Sequence, residues 1–320
     1  MGLNTHGIKF LLYSKASGVD FTQTAMIGRQ GLHLYKDELK SIFQTFARTI
    51  TDQQLDKIFT QDNGYAEEFF RQIGAREIHS FDFSDFEKAT YIHDFNREIP
   101  SEFKERYSVV FDGGSLEHVF NFPVAIKNCM EMVKIGGYYL ASTPANNNFG
   151  HGFYQFSPEL FFDIFVEENG FELVNLIAYE DSPGTIWYKV KSPKEVKARV
   201  TLMNNESVYL FIIARRFKRV GIFDSIPQQS DYQMQWNQHE MNLGNSDSGE
   251  KKVKGPKFIN QFLRAFLDTC PSVKQYLKKI RSKYSRLFRS SFDPKFFKPF
   301  DPIKDNKNVL SNNEGNISRK

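Results

Sequence analysis

The stretch "YSVVFDGGSLEHVFNFP", residues 107–123, decides the fold. It begins with a β-type hydrophobic run, passes through Asp112-Gly113-Gly114, and continues into the pair Glu117-His118. One interpretation is structural only: a strand ends, a turn follows and a helix begins. The other is that the stretch lies at the carboxyl edge of a parallel sheet, where open α/β sheets bind their ligands. The flanking sequence has to distinguish between them.

Strand-like and helix-like segments alternate between residues 20 and 220. Three short strand-like runs, "REIHSFDFS", "ATYIHDFN" and "YSVVFDGGS", reach an aspartate near their ends, at Asp82, Asp94 and Asp112. Apolar residues recur at helical spacing in "KDELKSIFQTFA", "GYAEEFFRQIG", "PVAIKNCMEMVKIGG" and "SPELFFDIFVEENG", the last with Ser157 as its N-cap. This alternation predicts βαβ units and a doubly wound, mostly parallel sheet. Right-handed crossovers would place the aspartates along one edge.

Composition indicates a globular protein without covalent or metal cross-links. The chain has 320 residues, of which 40% are hydrophobic, and only two cysteines, Cys129 and Cys270, which are far apart. Its histidines are scattered, so a disulfide framework and a zinc cage are both unexpected. The run "IKFLLY" in the N-terminal segment, residues 1–19, is too short for a signal peptide, and no stretch reaches the roughly 20 apolar residues of a membrane span. We therefore expect a soluble, cytoplasmic protein.

The C-terminal part of the sequence is strongly basic. Residues 251–320 contain 18 Lys and Arg against five Asp and Glu, a net charge of +13, which leaves −9 for the preceding residues of a chain whose total is +4. Residues 221–256 are polar and read as a linker. The tail, residues 257–320, interleaves Phe, Leu and Ile with Lys and Arg, and we expect its last thirty residues to be unstructured. Residues 251–290 are typical of a helix lying on an anionic membrane surface. A solvated extension and a helix docked on the acidic main domain are the alternatives.

The order of these motifs resembles the class I S-adenosylmethionine-dependent methyltransferases. The three aspartates are followed by "SLEHV", "KIGGYYLASTPANN" and "HGFYQFSPELFFDIFVEENGFELV". They are most similar to the branch in which strand four runs into Leu-Glu-His-Val and strand five follows a Lys-x-Gly-Gly turn. The resemblance covers residues 20–217. It implies a Rossmann-like, seven-stranded sheet and methyl transfer from S-adenosylmethionine.

Several residues would then hold the cofactor. Asp82, at the tip of the second strand, would accept hydrogen bonds from the ribose hydroxyls. Asp94 would accept one from the adenine amino group while the ring of Phe95 packs on the base, and Asp112 would border the same pocket. The alternative is that aspartates simply favour strand ends and turns.

The first loop departs from the family pattern. The family has an acidic residue and a GxGxG loop after its first strand, whereas this chain has Gly28 and Gly31 with Arg29-Gln30 between them. Arg29 would pair with the carboxylate of the cofactor, a role that suits a guanidinium fork. The alternative is that the loop has lost the cofactor and the protein is a non-catalytic binding or scaffold module.

The pair Glu117-His118 suggests the chemistry. In ubiquinone-pathway relatives a Glu-x-x-Glu-His group is associated with a metal, but here the first position is Gly114, so we expect no metal. His118 is the candidate general base that takes a proton from an attacking hydroxyl. The alternative is that Glu117 and His118 cap the following helix or line the cofactor pocket.

A second polar and aromatic concentration, "NNNFGHGFYQFSPEL" at residues 146–160, supplies candidate substrate ligands: His151, Tyr154 and Gln155. Aromatic faces with amide and imidazole groups suit a sugar, although a loop that satisfies its own backbone would look the same. We expect methyl transfer to a hydroxyl or amine of a small polar acceptor, with a saccharide intermediate of surface-polymer biosynthesis as the leading candidate. Nucleic acid is an unexpected partner because the main domain is acidic.

Overall fold

The computed structural model describes residues 2–182, 184–233, 235–236 and 292–306. Helices cover both faces of one large sheet, and a short two-stranded pair, β1 with β3, lies outside it. The elements in chain order are β1 (Gly2–Leu3), α1 (Thr5–Ala16), β2 (Gln23–Ile27), β3 (Gly31–Leu32), α2 (Lys36–Thr45), α3 (Asp52–Thr60), α4 (Glu67–Gln72), β4 (Glu77–Asp82), β5 (Tyr91–Ile92), β6 (Tyr107–Asp112), α5 (Phe122–Met132), β7 (Val133–Asn146), α6 (Pro158–Ile164), β8 (Phe171–Glu180), β9 (Trp187–Val190), α7 (Pro193–Val196), β10 (Val208–Arg216) and β11 (Phe297–Phe300).

The strand order of the large sheet is β11-β9-β8-β10-β7-β6-β2-β4-β5. Strands β5, β4, β2, β6 and β7 pair in parallel, whereas β10, β8, β9 and β11 join through antiparallel pairs. In the part of the chain described, only β10 and β9 therefore run against the rest, which confirms a mostly parallel sheet. The prediction of seven strands is wrong: all seven predicted strands are present, and β9 and β11 extend the sheet to nine.

The central strands are buried on both faces, which explains why they read as continuous hydrophobic runs. Every residue of β6 is buried. Its residue Val110 enters the core under α5 and α6, while Phe111 enters the core under α1 to α4. In β2 the same alternation separates Ile27 from Met26. Two cores thus hold the sheet between two helical layers.

The N-terminal segment is part of the second core. The side chain of Asn4 caps α1 by accepting hydrogen bonds from the backbone N–H groups of His6 and Gly7. The apolar run noted in the sequence is the interior of this helix, and the ring of Phe10 stacks on Phe211 with centroids 4.3 Å apart. Helix α1 thereby brings the first residues of the chain to the carboxyl edge of the sheet.

Strand β7 is longer than expected. The sequence predicts a helix that closes on Gly136-Gly137, but α5 ends at Met132 and β7 begins at Val133. The reason is sheet pairing, because β7 has partners on both sides. At Gly137 a Cβ would lie 2.9 Å from the carbonyl oxygen of Ser108, so this glycine permits a close approach between strands.

The end of the described chain is also structured, against expectation. Residues 292–306 were predicted to be unstructured, but β11 pairs with β9, and Phe292 stacks on Tyr188 with centroids 4.1 Å apart. Burying the aromatic side chains of "FDPKFF" outweighs the cost of ordering this short segment. Part of the predicted linker packs as well, since Ser230 is buried and its N–H donates to Glu159.

The predicted membrane-surface helix falls on residues 251–290, which lie outside the described residues. Among the helices that the structure describes, none combines the length and the apolar character needed to cross a bilayer.

Candidate functional site

A crevice is expected where the sheet changes its direction of growth. From β2 the chain adds β4 and β5 on one side, and then crosses to add β6 and β7 on the other. Loops that leave β2 and β6 therefore diverge, and open α/β sheets bind ligands outside such strand ends. Gly28 follows β2, Asp112 ends β6, and the hydroxyl of Ser115 donates to the carbonyl oxygen of Ile27 at 2.5 Å, tying the two ends together.

Asp112 organises the turn after β6. Its Oδ1 accepts hydrogen bonds from the backbone N–H groups of Gly114 (3.2 Å) and Ser115 (2.8 Å), and Tyr139 donates to its Oδ2 at 3.4 Å. Burial raises the pKa of Asp112, although the backbone N–H groups oppose that shift. In this structure the carboxylate contacts its own turn, and it thereby positions the residues that follow.

The loop after β2 is closed by a side chain. The amide Nε2 of Gln30 donates to the carbonyl oxygens of Ile27 (3.1 Å) and Gly28 (3.2 Å), and the residue is fully buried. A Cβ at Gly113 would collide with Oε1 of Gln30, so the glycine makes room for this amide. Gly28 takes a positive φ of 71° at the start of the loop, a conformation that suits glycine.

Arg29 is held by internal contacts. Its Nε lies 2.6 Å from Oε1 of Glu67, and its Nη1 donates to the carbonyl oxygen of Glu87 at 2.9 Å. The guanidinium also lies over the ring of Tyr65, 4.0 Å from the centroid. The fork predicted for a cofactor carboxylate is therefore already paired with a glutamate, and its role toward the cofactor stays a prediction.

Asp82 and Asp94 lie at the tips of β4 and just after β5, as predicted. Among the described residues, the carboxylate of Asp82 accepts one hydrogen bond, from the N–H of Phe83 at 2.7 Å. Asp94 accepts two from Asn96, which lower its pKa. The ring of Phe95 belongs to the core, is only 6% exposed and contacts Phe81. Asp82 is thus the least engaged of the three predicted nucleoside ligands.

Beyond the turn, Glu117, His118 and His151 converge. Each offers one ligand atom, and these atoms lie within 4.8 Å of one another. Nε2 of His151 is 3.5 Å from Oε1 of Glu117, and the two imidazole rings are 5.1 Å apart. Two of the predicted site residues, His118 and His151, are therefore brought together from distant parts of the sequence.

Glu117 is the unusual member of this cluster. It is fully buried, and neither carboxylate oxygen has a hydrogen-bond partner among the described residues. Burial, followed by the negative charge of Asp112, raises the pKa of Glu117. Burial and the neighbouring His151 lower the pKa of His118, which disfavours the protonated ring.

The loop after β7 is anchored on the backbone of Glu117. The carbonyl oxygen of Glu117 accepts hydrogen bonds from the N–H groups of Phe153 (2.8 Å) and Tyr154 (3.2 Å). A Cβ at Gly152 would lie 2.8 Å from that oxygen, so only glycine fits this approach. The hydroxyl of Tyr154 donates to the carbonyl oxygen of Phe120. Both polar groups of Tyr154 therefore bond to the backbone of the turn after β6.

Gln155 is also used within this loop. Its Oε1 accepts a hydrogen bond from the N–H of Asn148 at 2.8 Å. Of the three predicted substrate ligands, only His151 presents its polar atoms to another candidate site residue. Gln155 thus satisfies the backbone of the loop, Tyr154 ties the loop to Phe120, and the loop holds His151 against Glu117.

Two adjoining cavities open beside the cluster. One of about 160 Å³ is lined by residues that include Gly113, Glu117, Ser142 and His151. A larger cavity of about 670 Å³ shares Asn4 and Asp181 with it and has a polar lining that includes His6, Lys9, His33 and Tyr35. The sequence analysis did not predict the residues that line this larger cavity. Asp181 had a usable signal, because it follows a strand end as the three predicted aspartates do, whereas Asn4 and Lys9 reach the cavity only through the packing of α1.

The fold is a doubly wound α/β domain with a crevice at the carboxyl edge of its sheet. No family model matches the chain, and no curated protein matches it. Among solved structures, it is similar to a protein of Bacillus halodurans C-125 assigned to the methyltransferases, with 13% identity over 65% of this chain and 99% of that chain, at a TM-score of 0.33.

Two further solved structures are similar at the same level. A protein of Listeria monocytogenes, assigned to the S-adenosylmethionine-dependent methyltransferases, has 12% identity over 67% of this chain and all of its own, at a TM-score of 0.37. The N-methyltransferase NodS of Bradyrhizobium japonicum WM9 has 11% identity over 66% of this chain and 93% of its own, at a TM-score of 0.35. Similarity at this level does not transfer an activity, so the function has to follow from the site.

Proposed function

We propose that this protein transfers a methyl group from S-adenosylmethionine to a hydroxyl or amine of a small polar acceptor. The observation that carries the proposal is Asp82. It ends β4, the neighbour of β2 at the point where the sheet changes direction, and its carboxylate makes one local hydrogen bond. An acidic residue in that place is suited to the hydroxyls of a ribose.

The residues fit the two ends of the cofactor unequally. Asp82 provides a free acceptor for the nucleoside end. At the other end, the amide of Gln30 fills the gap between β2 and β6, where Gly28 and Gly113 bring backbone close together. The Oε1 of Gln30 is buried without a partner among the described residues. This oxygen is an acceptor suited to an ammonium group such as that of the methionine part.

The acceptor would lie in the two cavities beside Glu117 and His151. When bound, S-adenosylmethionine supplies an electrophilic methyl group on a cationic sulfur. The chain contributes mainly alignment of the reacting atoms. His118 is exposed, and its lowered pKa favours the unprotonated ring, so an imidazole nitrogen can accept the proton that the attacking hydroxyl or amine loses.

The test is a calorimetric titration of the full chain with S-adenosylmethionine and S-adenosylhomocysteine. Asp82→Ala should weaken binding by about 1.5–3 kcal/mol, the range for hydrogen bonds to a charged group, or roughly 10- to 150-fold. Asp85→Ala is the matched control, because Asp85 is an exposed carboxylate of the loop that follows Asp82. Binding that is present and equal in both variants would remove the assignment.

A saccharide intermediate of surface-polymer assembly is the acceptor we favour. The mixed polar and aromatic lining of the larger cavity, with Lys9, His33 and Tyr35, is compatible with a polyhydroxylated ligand. The basic tail would bring the enzyme to lipid-linked intermediates at an anionic membrane surface. Each engaged Lys or Arg contributes about 1 kcal/mol there.

Co-sedimentation with liposomes tests the membrane part of this proposal. The full chain should bind anionic vesicles, dissociate from them as the salt concentration rises, and show no binding to neutral vesicles. The control chain replaces Lys and Arg of residues 251–290 by Gln and keeps the segment that contains β11. A full chain that stays in the supernatant at low salt would refute the membrane role.

The alternative is a non-catalytic member of the same fold that acts as a binding or scaffold module. It is favoured by the loop after β2, because Arg29 is paired with Glu67 and Gln30 closes the crevice. The same titration separates the two functions. Absence of any heat with either cofactor form would support the scaffold.

A further inference from the structure

The carboxylate of Glu117 is an unsatisfied buried group. Its side chain is 1% exposed, and both oxygens lack hydrogen-bond partners among the described residues. A buried ionised carboxylate is costly unless it is paired or coordinates a metal. The residue is nevertheless held firmly in this position, because its own backbone carbonyl accepts two hydrogen bonds from the loop after β7.

Two imidazoles complete a set of donors around this carboxylate. His118 follows Glu117 directly, and His151 belongs to the loop that is fixed on the Glu117 backbone. Their ligand atoms and that of Glu117 lie within 4.8 Å of one another, with the closest pair at 3.5 Å. Neutral imidazole is a common metal ligand in proteins.

We propose that Glu117, His118 and His151 bind a divalent transition-metal ion. Two histidines and one glutamate form a donor set that proteins use for zinc with an open fourth position. Atoms about 2.0–2.2 Å from a common ion are somewhat closer together than 4.8 Å, so binding requires the exposed His118 ring to turn inward. The ion would satisfy the orphaned oxygens of Glu117.

The open position would face the cavity of about 160 Å³. This part of the inference rests on the proposed function: an acceptor hydroxyl bound there would lose its proton more readily, because a metal lowers the pKa of a bound oxygen. In that state His118 is a ligand and no longer the base. The expectation of no metal considered only the motif positions 114–118, whereas the third donor proposed here, His151, comes from a different loop.

The test is titration of the full, untagged chain with Zn²⁺ by calorimetry, and with Co²⁺ by visible absorption, in the absence of S-adenosylmethionine. We expect one equivalent of metal to bind, and a Co²⁺ spectrum of low coordination number. Glu117→Gln and His151→Ala should each weaken binding at least about tenfold, since even loss of an outer partner costs 10- to 100-fold. Affinity should also fall as the pH is lowered, because the ligands must be deprotonated.

The control is His33→Ala, which removes an exposed histidine from the larger cavity and leaves the three donors in place. Circular dichroism of each variant establishes that it is folded. The proposal is overturned if the wild type binds no Zn²⁺, if both donor variants bind it as tightly as the wild type, or if His33→Ala weakens binding as much as they do. Because no cofactor is present, these outcomes are independent of whether S-adenosylmethionine binds.

Discussion

Replacing Glu117 by Gln should stabilise the metal-free protein, and increasingly so as the pH rises. The side chain is fully buried, and its carboxylate oxygens have no hydrogen-bond partners among the described residues. Burial, and then the charge of Asp112, raises the pKa of Glu117 from 4.5 to about 8. The folded state therefore favours the protonated form more than the unfolded state does.

The sign of the effect follows from proton linkage. The stability that this group contributes is fully present below its unfolded pKa, and it is lost as the pH rises through the folded pKa. One unit of pKa corresponds to about 1.4 kcal/mol. Even half of the shift from 4.5 to about 8 therefore corresponds to about 2 kcal/mol between acidic and alkaline conditions.

The measurement is urea unfolding in the presence of a chelator, at about pH 5.5 and about pH 8.5, for the wild type and Glu117→Gln. The advantage of the variant should be larger at the higher pH by about 1 kcal/mol or more, because part of the loss has already occurred at about pH 5.5, above the unfolded pKa. Glu102→Gln, which changes an exposed carboxylate, should show no such trend. An equal difference in unfolding free energy at both pH values would mean that Glu117 ionises as freely when folded as when unfolded.

Two further predictions concern the loops that frame the site. Gly152→Ala should destabilise the protein by about 1–3 kcal/mol, because a Cβ would press on the Glu117 carbonyl at a φ of 71°. A Cβ at Gly150 would meet open space, so the control Gly150→Ala should change the unfolding free energy little. Similar unfolding free energies for the two variants would contradict this. Arg29→Lys should weaken cofactor binding if the fork binds a carboxylate, since lysine keeps the charge but loses the fork. Lower stability at unchanged affinity would instead assign Arg29 to its contact with Glu67.

Much of the sheet was predictable because its signals are local. The continuous apolar run of β6, the aspartates at strand ends and the cap at Ser157 each depend on a few neighbouring residues, and the structure contains all three features. The two added strands gave no such signal. Strand β9 pairs through only four residues, and β11 depends on aromatic contacts with Tyr188 and its neighbours, which no local pattern specifies.

The candidate site was predictable in part for the same reason. Strand-end positions and loop composition identified His118 and His151 separately. Their meeting depends on the loop fold that Gly152 allows, and the burial of Glu117 depends on the packing of the whole edge. Arg29 was expected to pair with a cofactor carboxylate. Its contact with Glu67 was not predictable from local sequence, because α4 brings Glu67 beside it after two intervening helices.

The outermost strand has a consequence for how the chain is made. The hydroxyl of Tyr13, in α1, donates to Asp305 at 2.9 Å, and the ring of Tyr13 packs edge-on against Phe300 in β11. Synthesis proceeds from the N-terminus at about 5–20 residues per second. On the ribosome, the first helix and the edge of β9 therefore stay without these partners until residues 297–305 emerge. Until then, that uncovered strand edge is open to pairing with a neighbouring chain on the same messenger.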